Sequence, residues 1–308
     1  MRLGIDIGGT KTAAVAISVD GELSEQVRLP TGFGPAAVVA TALHAVERMS
    51  VVAGIGASAF SSIGVGIPGA VDSRTGRVAH AVNLGLADLE LGPRLADRLG
   101  IDVRVENDVK AAAVGAHHLL GAGGGTAHDS MAYLNLGTGL AAGILQGGVL
   151  LRGGHGMAAE VGHIPIDPTG AACSCGQRGC IETVASGSAI ARMWPTDDPL
   201  PARALFAAAD AGDRRAIDVR ETFLAGVAAA VRVLVLTADV DVVIIGGGLA
   251  GLGDTLVDGT HRILNRWAAE SAFIASLDLA RRVQVVPLGF PAAAIGAALI
   301  GEHQWQKS

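Results

Sequence analysis

Cys173, Cys175 and Cys180 are the only cysteines of this 308-residue chain, and they fall within eight positions of one another. His163 stands ten residues upstream, in the run Glu160-Val-Gly-His163 that leads to Cys173-Ser-Cys175-Gly-Gln-Arg-Gly-Cys180-Ile-Glu182. Three thiols and one imidazole match the four ligands that Zn2+ takes in a tetrahedral site, and Gly170, Gly176 and Gly179 let the backbone fold round an ion. Such a set leaves no position for water, so the metal is expected to be structural, shaping a loop whose Glu160 and Glu182 do the binding. The plainer alternative is three clustered buried thiols. An odd number of cysteines counts against a disulfide framework, and chance would scatter them, so metal is the favoured reading.

Two glycine turns offer a second kind of chemistry. Asp6-Ile-Gly8-Gly9-Thr10-Lys11-Thr12 follows one strand-like run, and Asn135-Leu-Gly137-Thr138-Gly139 follows another. Each turn could present backbone N–H groups to a polyphosphate, with Asp6 placed to hold Mg2+ through its waters. Each alone is also an ordinary hairpin; the recurrence, with Asp or Asn two residues before the glycine, makes the pair a nucleotide signal. The first turn is not a P-loop, because Thr10 separates Gly9 from Lys11 and the residues that follow suit a strand rather than a helix. Gly-x-Gly-x-x-Gly spacing occurs at Gly64, Gly66 and Gly69 and at Gly246, Gly248 and Gly251, which is weak evidence in a chain with 44 glycines. The latter run, with Gly247 and Gly248, reads equally as a tight turn or as a loop passing close to a ligand such as an adenine. Glu106-Asn107-Asp108 lies where a strand gives way to a helix. Capping explains one of Asn107 and Asp108; a carboxylate beside an amide is also what takes a proton from an attacking alcohol.

The elements that must position these residues follow from periodicity. Strand, glycine turn, strand and turn occur over residues 2–21 and again over residues 131–151, so two halves share one plan. Helical spacing covers 35–49, 89–99, 109–120, 202–211, 214–237, 261–271 and 292–301; strands are expected at 62–67, 101–105, 240–245 and 283–286. The glycine-rich run Gly121 to Gly125 is the expected hand-over between domains. Composition agrees with a compact, two-domain α/β protein: 50% hydrophobic, 17% charged and few aromatics. A net charge of −6 with no Lys/Arg run argues against nucleic acid or an anionic membrane as partner, leaving small molecules. The uncharged stretches 130–151 and 283–301 are broken by polar residues, glycines and prolines and read as core. The N-terminus enters a strand pattern at once and shows no leader, so a cytoplasmic location with reduced thiols is expected.

Taken together, Asp6-x-Gly8-Gly9-Thr10-Lys11-Thr12, Pro68-Gly69, Asn83-Leu84, Glu106-Asn107-Asp108, Gly137-Thr138-Gly139, Glu160-x-Gly162-His163, the Cys173 to Glu182 loop and Gly246-Gly247-Gly248 resemble the successive motifs of the ROK family of sugar kinases and repressors. The resemblance spans nearly the whole chain. It implies an actin-like (ribonuclease H-like) two-domain ATPase fold with a zinc-binding loop. Residues 1–120 with 292–308 would form a smaller α/β domain. Residues 121–291 would form a larger one carrying the zinc loop and the contacts of a homodimer or dimer of dimers.

The resemblance also implies roles. Asp108 would be the base on the sugar 6-hydroxyl, and Gly69, Asn83, Asn107, Asp108, Glu160, His163 and Glu182 would bind the sugar, His163 meeting Zn2+ with its other nitrogen. Asp6, Gly8, Gly9, Thr10, Lys11, Thr12, Gly137, Thr138, Gly139, Gly247 and Gly248 would bind ATP and Mg2+; His163, Cys173, Cys175 and Cys180 would hold zinc. The chain departs from the family pattern at Leu86, where many members carry tryptophan, and at Ala116, where an acidic residue is frequent. The repressors begin with a DNA-reading helix-turn-helix, for which this sequence leaves no room before its first strand. An aldohexose 6-kinase, glucose first, is the expected activity. A kinase for an N-acetylhexosamine or fructose, or a catalytically idle sugar sensor, stays open.

Overall fold

A computed structural model describes residues 1–122 and 128–301. Contacts divide the chain into two compact units: Met1–Ala127 with Gly143–Ala158 and Pro291–Ser308, and His128–Ala142 with Ala159–Phe290. Residues 123–125 of the glycine-rich run expected to join the domains lie outside the described residues, as do 302–308.

The first unit opens with β1 (Arg2–Ile7), β2 (Lys11–Ile17) and β3 (Val27–Pro30), followed by α1 (Pro35–Ala53). Pro at the start of α1 fits its unpaired N–H positions, and Gly54 ends it in the left-handed region at φ 66°. Next come β4 (Ser62–Ile67), then β5 (Ala70–Asp72), β6 (Arg77–Ala81) and β7 (Leu86–Glu90), then α2 (Leu91–Leu99), β8 (Val103–Asn107) and α3 (Asp108–Ala122). Strands β5, β6 and β7 form a small antiparallel sheet that periodicity did not reveal. Its strands are short and carry charged outward faces, and β7 takes residues expected to begin a helix: Leu89 pairs with Val78 and the helix starts only at Leu91.

The chain continues through β9 (Ser130–Leu136), β10 (Leu140–Gln146), β11 (Val149–Leu150), α4 (Gly187–Met193), α5 (Pro201–Asp210) and α6 (Arg214–Ala238). It ends with β12 (Val242–Gly246), α7 (Asp254–Glu270), α8 (Ala272–Ser276), β13 (Val283–Val285) and α9 (Ala292–Ile300). Helix α7 begins seven residues before the expected start at His261, because Gly259 interrupts the apolar pattern while packing closely against Leu224. Although α6 has the length and hydropathy of a membrane span, Phe223, Leu224, Val227, Val231 and Leu234 bury its inner face.

The two five-stranded sheets have the orders β3-β2-β1-β4-β8 and β11-β10-β9-β12-β13. Both therefore run third, second, first, fourth, fifth, and the hairpin that opens each sheet is the strand-turn-strand repeat read from the sequence.

Much of the glycine content serves packing. A Cβ on Gly4 would overlap the Ala294 carbonyl and one on Gly64 the Ala297 carbonyl, so α9 lies directly on β1 and β4. Gly115 and Gly296 allow α3 and α9 an equally close approach. The Gly64-x-Gly66-x-x-Gly69 run is thus a packing surface and not a dinucleotide loop.

Candidate active site and metal centre

In the first unit the phosphate turn is a tight hairpin: Gly8 N–H donates to the Lys11 carbonyl at 2.9 Å and leaves Gly9 and Thr10 exposed between β1 and β2. A strand follows, as the rejection of a P-loop requires. Lys11 is exposed. Thr12 is 1% exposed and its hydroxyl lies 2.8 Å from that of Thr31, so its side chain ties β2 to the chain after β3. Asn83 packs beside Gly9, where an added Cβ would lie 3.4 Å from its own.

Asp6 ends β1 next to Gly66 of β4. Its carboxyl is raised from the usual 3.8 to about 7, first by burial and second by the charge of Asp108. The two carboxylates are therefore electrostatic neighbours. An added Cβ on Gly66 would lie 3.3 Å from the Ala111 Cβ and 3.5 Å from the Asp108 Cα, so β4 passes close to the start of α3.

Asn107 resolves the capping question. Its Oδ1 accepts the N–H groups of Val109 at 3.0 Å and Lys110 at 3.2 Å, which makes it the cap of α3. Its Nδ2 donates to the Gly69 carbonyl at 3.3 Å, which joins two of the expected sugar contacts. Gly69 has φ 106° and backs onto the Ala79 carbonyl, so no other residue fits there. Asp108 sits at the first turn of α3, its Oδ1 accepting the Val109 N–H at 3.0 Å.

Beneath this pair lies Glu106, 2% exposed. It accepts the Asn107 N–H at 3.0 Å and the Arg152 Nε–H at 2.7 Å, a buried ion pair that anchors the strand end. Arg152 was missed by sequence reading. It lies 44 residues from Asp108, and no motif marks it.

In the second unit the Cys3His cluster assembles as the spacing demands. The Sγ atoms of Cys173, Cys175 and Cys180 and a ring nitrogen of His163 all lie within 4.8 Å of one another. Cys175 Sγ and Cys180 Sγ are 3.7 Å apart, and Cys173 Sγ is 3.6 Å from His163 Nδ1. A Zn–S bond of about 2.3 Å puts tetrahedral edges at about 3.8 Å, so the donors fit the ion. The Gln177 backbone N–H lowers the Cys175 thiol, while burial raises that of Cys180; a fully buried thiol held among two others suits a metal cation. With Nδ1 facing Cys173, His163 keeps Nε2 for another partner. Gly179 is required, since a Cβ there would overlap the Asp167 carbonyl where the loop folds back.

This loop sets its glutamates. Glu182 lies on the short helical turn Ile181–Thr183, and its Oε2 accepts the Leu140 N–H at 2.9 Å, directly after the second glycine turn. An added Cβ on Gly139 would lie 2.5 Å from the same oxygen. Glu160 precedes the turn Val161–His163, after Ala159 at φ 68°. The second glycine turn is closed by the Gly137 N–H to Gly139 carbonyl bond at 3.0 Å, and Gly187 N–H donates to the Gly137 carbonyl at 2.8 Å. Gly247, at φ 82°, approaches Leu136 and Asn135, so the third glycine run, with Gly248, lies against the strand leading into that turn.

The model of the ROK family matches residues 2–303, and the chain belongs to that family. It is 33% identical to a glucokinase of Halalkalibacterium halodurans, over 83% of this chain and 82% of that one. It is 32% identical to a glucokinase of Streptomyces coelicolor, over 97% and 96%. An N-acetylmannosamine kinase of Citrobacter koseri is 33% identical over 80% of this chain and 83% of its own. Among solved structures, a ROK family glucokinase from Streptomyces griseus in complex with glucose and AMPPNP superposes with TM-score 0.80 at 30% identity, covering 97% of this chain and 98% of that one. The fold is the actin-like ATPase fold implied by the sequence resemblance.

Proposed function

We propose that the protein is an ATP-dependent hexose 6-kinase whose preferred substrate is glucose. The observation that carries this reading is Asp108, held by the Asn107 cap and flanked by Asp6 and the phosphate turn, where a base and a metal-bound triphosphate are both needed. The glucokinase relatives and the glucose and AMPPNP complex support it.

In this reading Asp108 accepts the proton of the sugar 6-hydroxyl while that oxygen attacks the γ-phosphorus in line and ADP leaves. Gly8 to Lys11, Gly137 to Gly139 and Gly247 to Gly248 hold the nucleotide through backbone N–H groups, and Thr12 supports the turn. Asp6, ionised on binding, would hold Mg2+ through water; the ion would offset charge on the phosphates. Glu160, Glu182 and His163 Nε2 bind the far hydroxyls, with Asn83, Asn107 and Gly69 at the near edge. Zinc would be held by His163, Cys173, Cys175 and Cys180 and would keep the loop in shape. The protein acts in the cytoplasm as a homodimer or dimer of dimers.

A second reading, kinase for an N-acetylhexosamine, is favoured by the N-acetylmannosamine kinase relative and by Leu86, which is 2% exposed and turned inward where the family often has tryptophan. Steady-state kcat/KM for ADP release on glucose, mannose, fructose, N-acetylmannosamine and N-acetylglucosamine separates the two. Glucose is expected to lead, since a site built on particular hydroxyls leaves polar groups unpaired with an epimer. A lead for an N-acetyl sugar or fructose overturns the glucose assignment, and turnover of none overturns the kinase.

A further inference from the structure

The first unit contains a cavity of about 920 Å³ that none of the proposed catalytic, sugar or nucleotide residues lines. It lies between the small β5-β6-β7 sheet, β8 and the segment Arg152–Met157. Its charged lining is mostly cationic: Arg74, Arg77, Arg104 and Arg152 accompany one acidic residue, Asp72, and His80 and His155 add ring nitrogens. In a chain of net charge −6 that concentration runs against the composition.

The pairings of Arg77, Arg74 and Arg152 leave these three serviceable. Arg77 meets Asp88 through two bonds of 2.7 Å, but both side chains are more than half exposed, so the pair is worth little and exchanges easily. The Arg74 side chain is 90% exposed and reaches Asp72 only at 3.5 Å, while the Arg74 backbone N–H donates to the same carboxylate at 3.0 Å. Arg152 uses Nε for Glu106, which leaves the rest of its fork to the cavity. His80 is held at φ 56° inside β6, a left-handed conformation unfavourable for a non-glycine residue and often found at ligand sites.

We propose that this cavity is a second, phosphate-binding site for a small phosphomonoester of sugar-phosphate size. Guanidinium forks match the oxygens of a phosphate bidentately, and a dianion needs more than one of them to replace its hydration. The volume is at the upper end of ligand pockets, roughly 300–1,000 Å³, and well beyond a bare phosphate. Ala70, Val71, Ala79 and Met157 add an apolar wall for the organic part. The ligand would draw on Arg152 and so loosen Glu106, which holds the N–H of Asn107 beside the base. Occupancy is therefore expected to lower kcat rather than to compete with glucose. This kinetic consequence rests on the kinase reading; binding itself does not.

The test is calorimetric titration of the protein with glucose 6-phosphate, inorganic phosphate and tripolyphosphate, in parallel with the double variant Arg74→Gln/Arg77→Gln. Both side chains are exposed and outside the proposed machinery, so unchanged thermal unfolding and unchanged turnover without added anion are expected. Wild type should bind glucose 6-phosphate saturably and more tightly than inorganic phosphate, and the double variant should bind it roughly tenfold or more weaker. Tighter binding of tripolyphosphate, lost in the variant, would keep the phosphate site and reassign its occupant to an inorganic chain. Equal affinity in wild type and variant, or no saturable binding of any of the three, overturns the site.

Discussion

The two sets of proposed site residues, one in each unit, are built on different physical supports. Around Asp108 the support is ordinary folding: an Asn107 cap, a buried Glu106–Arg152 pair, and glycines that let α9 and α3 pack directly on the strands beneath. Around Glu160 and Glu182 the loop from Ile164 to Arg178 contains no fully buried residue, and its convergence depends on four donors that suit one ion. The first half is preorganised by the core. The second is expected to be only as ordered as the proposed metal makes it, because a short exposed loop cannot bury enough apolar surface to offset its conformational entropy.

The largest expected effect falls on the core-supported half. Asp108→Asn keeps the shape of the helix start but removes the base, which should cost roughly 10²–10⁴ in kcat, with glucose affinity retained. Near-normal turnover would assign the base elsewhere.

The comparison sharpens with metal removal. Chelation of zinc, or Cys175→Ser, should abolish glucose binding while AMPPNP binding persists, since the phosphate turns are held by strands. Absence of zinc by elemental analysis in active protein, or full activity in Cys175→Ser, would refute metal support. Parallel loss of nucleotide affinity would mean that the two halves are not separately supported.

A smaller effect tests the electrostatics of the first half. The Asp6 carboxyl is raised from 3.8 to about 7, so the unfolded chain releases this proton earlier in a pH titration than the folded chain does. The stability it contributes is complete below the lower value and declines as pH rises towards 7, on the order of 2–4 kcal/mol across that window for the ligand-free protein. Asp6→Asn should therefore gain stability over wild type on going from pH 4.5 to pH 7.5, read by denaturant unfolding. A pH-independent difference would show that burial and the neighbouring Asp108 do not raise the Asp6 carboxyl.

The sequence by itself determined those features whose cause is local. Three cysteines and a histidine within a reach of 18 residues can meet round one ion wherever the loop lies, and the doubled strand-turn-strand plan carries its own hairpin signals. A helix cap at Asn107 or Asp108 was legible because capping involves the residues immediately following, and the structure assigns it to Asn107. Tertiary structure alone decided what depends on distant chain segments. The Thr12 hydroxyl lies 2.8 Å from that of Thr31, a contact that no local spacing announces. The small β5-β6-β7 sheet was hidden because short, partly charged strands become legible only through their partners. Arg152 joins Glu106 from 46 residues away, and Gly64 faces α9 from a strand more than 200 residues earlier. Local spacing encodes which groups can converge; long-range packing fixes which of them are left facing a ligand and which are consumed in holding the fold together.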